Sequence, residues 1–288
     1  MTRLRLAMRH IRHHPGSLAL HALCSLASLA VCCALALLIG YILLTGVPNL
    51  SGDLFSPEYN SENVSLLPAL FNTVVMTLLS LFIALPLGVG GAVYLAEYAN
   101  RESWLVKAVR VTAETLSGIP SILYGLFGMM FFVTSLKWSY SLLAGGMTLA
   151  IMILPLILCT TEEALLSVPE SYREGSFGLG AGRLRTVVRI VLPPASSGIL
   201  AGIILAIGRV VGETAALIYT AGTVADFPRG LLSSGRTLAV HMYVLSGEGL
   251  HVKEASATAV VLLAIVAGMN ALSSWAAKRL TRGRRDGK

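Results

Sequence analysis

The chain has 288 residues, of which 55% are hydrophobic and 13% are charged. Soluble domains carry about 25% charged residues, so a water-soluble core cannot bury this much apolar surface and the composition predicts a membrane protein. The net charge of +7 does not indicate nucleic-acid binding, because the basic residues flank the hydrophobic stretches, where topology and anionic lipid headgroups explain them.

Six hydrophobic stretches are long enough to cross about 30 Å of hydrocarbon, which takes about 20 residues. In chain order they are residues 18–44, 67–95, 111–134, 138–159, 197–219 and 255–276. Pro86, Pro120 and Pro155 lie inside three of them, and neighbouring helices can satisfy the backbone groups that proline frees. The sequence therefore predicts an all-α fold, a polytopic membrane bundle of six transmembrane helices.

The segments that flank and join these stretches are alternately rich and poor in lysine and arginine. The N-terminus, the second and fourth connections and the tail hold 17 of them, and the other three connections hold 4. Positive residues stay on the cytoplasmic side, so both termini are predicted to be cytoplasmic, in a bacterial or archaeal cell (inner) membrane. Four regions follow, namely a basic N-terminus (1–17), a first helix with an outer loop (18–66), a core with a cytoplasmic loop at 161–196 (67–276) and a basic tail (277–288).

The loop at 161–196 contains helix signals rather than linker composition. Ser171 and Glu174 have the spacing of a capping box, which predicts a helix from about Tyr172. Three glycines then predict its end and a turn, at Gly178, Gly180 and Gly182. A second short helix is expected to present one apolar face, made of Leu184, Val187, Val188 and Val191, and to end at Pro193-Pro194.

The same loop resembles the EAA loop of ABC-importer permeases. Glu174, Gly180, Ile190, Leu192 and Pro193 stand at that family's spacing, and Gly175 and Ser176 replace its two alanines with residues that are also small. The resemblance implies a type I ABC importer permease-like fold. It also implies that this loop, including Ser171, couples the bundle to a separate ATPase subunit.

Further stretches resemble the phosphate importer permeases of the PstA type, at residues 91–99, 114–126, 160–165 and 208–215. The resemblance implies phosphate as substrate, a sister permease subunit and an extracytoplasmic phosphate-binding protein as partners. No lysine of the chain precedes Ser or Thr, so a phosphate-binding loop is absent. We therefore expect a transport subunit that is not itself an enzyme and binds no cofactor, with ATP and Mg²⁺ on the partner ATPase.

Two charges fall inside the fifth stretch. Arg209 and Glu213 stand four residues apart, where they would share a helix face and pair, and a charge near the bilayer centre costs about 2.5–3.5 kcal/mol on insertion scales. An arginine fork suits an oxyanion such as phosphate, so both residues are candidates for the substrate pathway. The alternative is a structural ion pair that only fixes the position of the helix.

Two other functions stay open at this stage. An ABC permease for molybdate, sulfate or a similar substrate would share the coupling loop. An ion-coupled secondary transporter would carry ionisable residues in several spans and repeated halves, and this sequence has one central pair and no convincing repeat. Inhibition by vanadate would separate an ATP-driven transporter from the second alternative.

Overall fold

The computed structural model describes residues 15–60, 62–100, 102–249 and 251–282, and across these ranges the chain is helical with no strand. The predicted basic segments through residue 14 and from residue 283 lie outside the described residues. In chain order the helices are α1 (Pro15–Gly46), α2 (Leu67–Val93), α3 (Trp104–Ser117), α4 (Ser121–Gly128), α5 (Leu142–Leu166), α6 (Glu170–Gly178), α7 (Arg183–Thr186), α8 (Leu192–Val211), α9 (Ala215–Ile218), α10 (Leu238–Glu248) and α11 (Val252–Arg282).

Three of these helices continue as π-helical turns. Tyr94–Tyr98 extends α2, Met129–Ser135 extends α4, and Val187–Val191 joins α7 to α8. Five helical segments of the described residues are long and apolar enough to span a membrane, and the bent pair α3–α4 makes a sixth. The predicted all-α, multi-pass membrane bundle is confirmed.

The core lies around α5, which packs against α2 on one side and α8 on the other. Glycine allows the close approach on both sides. A Cβ at Gly88 would meet the Ile157 side chain, and a Cβ at Gly202 would overlap the Thr160 hydroxyl. By contrast, the central stretch of α1 is not buried against any described residue; α1 packs on α11 near its own C-terminal end.

The third predicted span is not one straight helix. The chain turns by 101° between α3 and α4, at Gly118-Ile119-Pro120. Pro120 has an extended backbone, with φ −56° and ψ 136°, and stands at the N-cap of α4. The prediction of an uninterrupted helix at 111–134 is therefore wrong, because proline removes a backbone donor and restricts the residue before it.

The fifth predicted span has the wrong bounds at both ends. Pro193-Pro194 does not stop the preceding helix, since the helical path runs without interruption from Arg183 to Val211. Pro193 stands in the first turn of α8, where a missing N–H group does least harm. The helix then ends at Val211, before Glu213, so the chain does not continue as one helix to residue 219.

Candidate coupling and pathway sites

The loop at 161–196 contains a helix–turn–helix that we call the elbow, consisting of α6, the turn at 179–182 and α7. Gly180 has a φ of +79°, a left-handed conformation that favours glycine. Its N–H donates to the Phe177 carbonyl at 2.9 Å, and the Ala181 N–H donates to the Ser176 carbonyl at 3.1 Å. The predicted glycine turn is confirmed, with Gly180 as the residue that requires it.

The two arms of the elbow are also joined by side chains. The Ser176 hydroxyl is buried and lies 2.8 Å from the hydroxyl of Thr186. Ser176 occupies a position where the resembling family has alanine, and its hydroxyl forms an additional contact between the arms. A small residue is therefore needed at this position for the packing of α6 on α7, since a larger side chain would separate the two helices.

A buried ion pair attaches the elbow to the bundle. Arg173 of α6 and Glu97, in the π-helical turn after α2, have side chains that are 5% and 6% exposed, and Nη2 lies 2.7 Å from Oε1. The same guanidinium donates to the carbonyl oxygens of Leu165 and Val168, at 2.9 and 2.8 Å. The hydrogen bonds to Glu97 raise the pKa of Arg173 above its usual value. The elbow is thus attached directly to the ends of α2 and α5.

A second ion pair lies on the same side of the molecule. The Arg110 Nε atom of α3 donates to Glu162 Oε1 of α5 at 2.8 Å. Sequence reasoning missed both pairs, although Glu97 and Glu162 stand in stretches that carry the family resemblance. A charge that is buried in or beside a helix bundle needs a partner, and this rule could have predicted the pairs. The sequence does not show, however, which charges are buried.

The outer surface of the elbow exposes apolar groups. Leu179 is 91% exposed, and Leu184, Val188 and Phe177 are also exposed. A groove of about 580 Å³ lies beside them, and its lining includes the predicted residues Ser171, Gly175, Ser176 and Ile190. Glu174 is exposed, and a Cβ at Gly175 would meet nothing within 4 Å in the described part of the chain. Apart from Ser176, which is buried against Thr186, these positions therefore face outwards, as a docking surface requires.

Two details of the predicted elbow are wrong. The helix begins at Glu170 after an N-cap at Pro169, so Ser171 and Glu174 do not form the capping box. The expected apolar face also divides, because Val187 and Val191 are buried while Leu184 and Val188 are exposed. The π-helical turn at Val187–Val191 widens the helix, so residues that would align in an α-helix rotate apart.

The last two predicted coupling residues lie where the elbow joins α8. Leu192 is half-buried and packs against the cluster that contains Ala92, Leu165 and Val191. Pro193 is exposed at the start of the helix, and its carbonyl accepts from the Ser196 hydroxyl at 2.8 Å. Leu192 therefore anchors the elbow to the bundle, whereas Pro193 shapes the beginning of α8.

The predicted pathway residues lie near each other without forming the expected ion pair. Glu213 is past the end of α8, is buried, and accepts from the Ala216 N–H at 3.1 Å. No ion pair within 4.0 Å joins it to Arg209 among the described residues. Arg209 is half-buried in the last turn of α8. The guanidinium is therefore not neutralised by Glu213.

A cavity of about 550 Å³ opens near the C-terminal end of α1. Its wall combines apolar groups with hydroxyl groups from α1, the α8–α9 junction, α10 and α11, among them Tyr41, Thr45, Thr214, Tyr219, Tyr243 and Ser256. The fold defines a polytopic membrane protein, with a cavity of mixed apolar and hydroxyl lining and a compact elbow that exposes apolar side chains.

Comparison with known proteins identifies the family. Residues 84–286 match the family described as binding-protein-dependent transport system inner membrane component, and the chain belongs to this family. It is 34% identical to the probable ABC transporter permease protein YqgI of Bacillus subtilis, over 83% of this chain and 87% of that one. It is 38% identical to the phosphate transport system permease protein PstA of Yersinia pestis, over 61% of this chain and 60% of that one.

Solved structures share the fold at low sequence identity. A chain of a bacterial alginate ABC transporter, in complex with an alginate-bound periplasmic protein, aligns with a TM-score of 0.70 and 15% identity over 95% of this chain and 97% of that one. A chain of the inward-facing MetNI methionine ABC transporter aligns with a TM-score of 0.58 and 21% identity, over 74% and 93%. The predicted type I ABC importer permease architecture is confirmed.

Proposed function

We propose that this chain is the transmembrane permease subunit of an ATP-driven phosphate importer. The observation that carries the proposal is the elbow, which is attached to the bundle through Arg173 and Glu97 and exposes Leu179 and Leu184 on its other side. An apolar surface on a rigid block suits a protein partner, and the ion pair carries the partner's movement into the helices. The phosphate assignment is supported by the PstA relatives and by Arg209.

The proposal requires an external source of energy. Bringing an anion into a negatively charged interior costs about 2.3 kcal/mol per charge per 100 mV, and the sequence contains no phosphate-binding loop of its own. We therefore assign ATP and Mg²⁺ to a partner ATPase that docks on the elbow from the cytoplasm, and the distribution of basic residues favours the same side for both termini.

Two more partners complete the proposed assembly. A sister permease subunit would pack beside this chain, and the exposed length of α1 leaves apolar surface for it as well as for lipid. An extracytoplasmic binding protein would deliver phosphate to the outer side. Within the chain, Arg209 would contact the anion as it passes α8, and Glu213 would position the α8–α9 junction through the Ala216 N–H.

The test is uptake of labelled phosphate into proteoliposomes that contain the assembled complex, internal ATP and the external binding protein. We expect vanadate-sensitive uptake that excess unlabelled phosphate abolishes and excess sulfate or molybdate does not. Arg209→Gln should lower uptake about tenfold or more, because hydrogen bonds to charged groups contribute about 1.5–3 kcal/mol. Arg229→Gln, an exposed arginine on the outer segment, is the matched control.

The outcomes separate the parts of the proposal. Uptake that continues unchanged in Arg209→Gln would remove that residue from the pathway and leave the importer intact. Uptake of sulfate or molybdate in place of phosphate would overturn the substrate. Phosphate uptake that needs an ion gradient and no ATP would overturn the coupling mechanism.

A further inference from the structure

A buried arginine lies below the outer loop without a counter-charge. Arg236 is 4% exposed, and no carboxylate within the described ranges lies within 4.0 Å of its guanidinium. Its Nε and Nη2 atoms are buried and have no hydrogen-bond partner. Leaving one charge buried without a partner is strongly destabilising. The guanidinium therefore needs a counter-charge or a hydrogen-bond acceptor that the described residues do not supply.

Two further polar groups near Arg236 are also unsatisfied. His241 is fully buried, and neither ring nitrogen makes a hydrogen bond of good geometry, although the Val64 backbone lies close enough to act on the ring. Asn72 donates from Nδ2 to the Arg236 carbonyl at 3.2 Å, while its Oδ1 has no partner. Buried polar groups in native proteins are almost always hydrogen-bonded. A single ligand that binds all three groups explains them more simply than three independent unsatisfied groups.

The aromatic ring of Tyr59 brings the cluster together. The Arg236 Cζ atom lies 4.9 Å from the ring centroid, and the rings of Tyr59 and His241 meet edge to face at 6.4 Å. A desolvated cation–π contact contributes less than an unpaired buried charge costs. Tyr59 thus orients the guanidinium but does not replace an anion.

Hydrogen bonds fix the backbone around the cluster, so a poorly packed loop does not explain the unsatisfied groups. The Arg236 N–H donates to the Val224 carbonyl at 2.9 Å, and Thr73 Oγ1 accepts from the N–H of Leu238 at 2.8 Å. The side chain of Asn63 holds both neighbours of Tyr59, because it accepts from the Asn60 N–H and donates to the Glu58 carbonyl, at 2.8 and 2.7 Å.

We propose that Arg236, His241 and Asn72 form an anion subsite under the outer loop, and that its ligand is a protonated oxyanion, hydrogen phosphate. The inference rests on the proposed function, since it gives phosphate a receiving site on the outer side in addition to Arg209. The same fixed backbone that holds Arg236 places the subsite between the outer loop, the start of α2 and the start of α10.

The mixture of donors and acceptors favours phosphate over sulfate. The guanidinium offers only donors, whereas Asn72 Oδ1 is an acceptor and a neutral imidazole has one donor and one acceptor. Burial and the charge of Arg236 lower the pKa of His241 to about 3, so the ring is neutral at physiological pH. Hydrogen phosphate carries a P–OH group that can donate to these acceptors, and sulfate carries none.

The test is equilibrium binding of labelled phosphate to the assembled complex in lipid nanodiscs, without the binding protein and in the Arg209→Gln background. We expect saturable binding that unlabelled phosphate displaces and sulfate displaces poorly. Adding Arg236→Gln should weaken phosphate binding about tenfold or more, while adding Arg229→Gln should leave the Kd unchanged. His241→Phe keeps the ring packing against Tyr59 but removes both nitrogens, so it should reduce the preference for phosphate over sulfate.

The outcomes bear directly on the subsite. An assembled Arg236→Gln complex with an unchanged Kd, equal displacement by sulfate, or no saturable phosphate binding would each overturn it. If Arg236→Gln does not assemble, His241→Phe and the competition between phosphate and sulfate decide the matter. ATP-driven phosphate uptake by the unsubstituted complex tests the importer separately, because uptake without binding at Arg236 would reject the subsite and leave the importer standing.

Discussion

The Arg173 guanidinium contacts the Glu97 carboxylate through two of its nitrogens, with Nη2 at 2.7 Å and Nε at 3.1 Å from Oε1. These residues are 76 positions apart in the chain, on the elbow and at the end of α2. The contact joins the elbow, which carries the proposed ATPase docking surface, to the end of a membrane-spanning helix. Its burial makes it a strong connection, since little water competes for either charge.

We predict that Glu97→Gln uncouples and destabilises the complex. Removing one partner of a buried ion pair costs about 3–5 kcal/mol, so the melting temperature and the ATP-dependent uptake should both fall. The matched control is Glu102→Gln, because the Lys107–Glu102 pair is largely exposed and such pairs contribute about 0–1 kcal/mol. Equal effects of the two substitutions on stability and on uptake would contradict the assigned role of Glu97.

Exchanging the two charges should not restore function. Arg173 also donates to the carbonyl oxygens of Leu165 and Val168, and a glutamate at this position would place a carboxylate against both. The double substitution Glu97→Arg with Arg173→Glu should therefore be no more active than Glu97→Gln in the uptake assay. Restored uptake would mean that the charge pair alone matters and that these two carbonyl contacts are dispensable.

Two glycines of α8, Gly202 and Gly208, should respond in opposite ways to replacement by alanine. Gly202→Ala should destabilise the chain by about 1–3 kcal/mol through overpacking, because the new methyl group would overlap the Thr160 hydroxyl. Gly208→Ala should be neutral or stabilising in this chain, since a Cβ there meets nothing within 4 Å in the part of the chain that the structure describes and alanine favours helix by about 1 kcal/mol. Thermal unfolding of both variants provides the measurement, and similar losses would contradict the packing of α8 on α5.

The exposed end of the elbow predicts a docking defect without a folding defect. Leu179 is 91% exposed, so Leu179→Asp should leave the amount and the melting temperature of the membrane-inserted chain unchanged. Loss of an apolar anchor at a protein interface can cost about 2 kcal/mol or more, and the ATPase should therefore no longer co-purify. Leu232→Asp, at an exposed leucine of the outer segment, should leave the ATPase attached. Retention of the ATPase by Leu179→Asp would argue against docking at this turn.

Much of the fold follows from the sequence, because hydropathy and charge can be read residue by residue along the chain. The hydrophobic stretches became helices with shifted bounds, and the glycine cluster gave the turn at Gly180. Proline was less informative, since Pro86 and Pro155 lie inside continuous helices, whereas Pro120 marks a corner. The difference depends on the tertiary partners of the freed backbone groups, and no local pattern shows them.

The candidate sites were predicted less completely than the fold. Spacing identified the elbow and Arg209, but it also suggested an ion pair with Glu213 that the end of α8 at Val211 prevents. The buried pair of Arg173 and Glu97 and the cluster around Arg236 depend on burial and on contacts between distant segments. A sequence shows that a charge is present but not whether it is removed from water, and burial is what makes these charges matter.

Burial of His241 predicts a loss of stability in acid. Burial, and then the neighbouring charge of Arg236, lower its pKa from 6.5 to about 3. Between these values the unfolded chain binds a proton that the folded chain excludes, so stability falls as the pH drops from 6.5 towards 3, by about 2 kcal/mol at pH 5 from this group alone. In phosphate-free buffer, the drop in melting temperature between pH 7.5 and pH 5 should be several degrees smaller in His241→Gln than in the unsubstituted complex. His251→Gln, at a half-buried histidine that follows α10, should retain the full drop, and an equally large drop in His241→Gln would show that His241 is not the group that resists protonation.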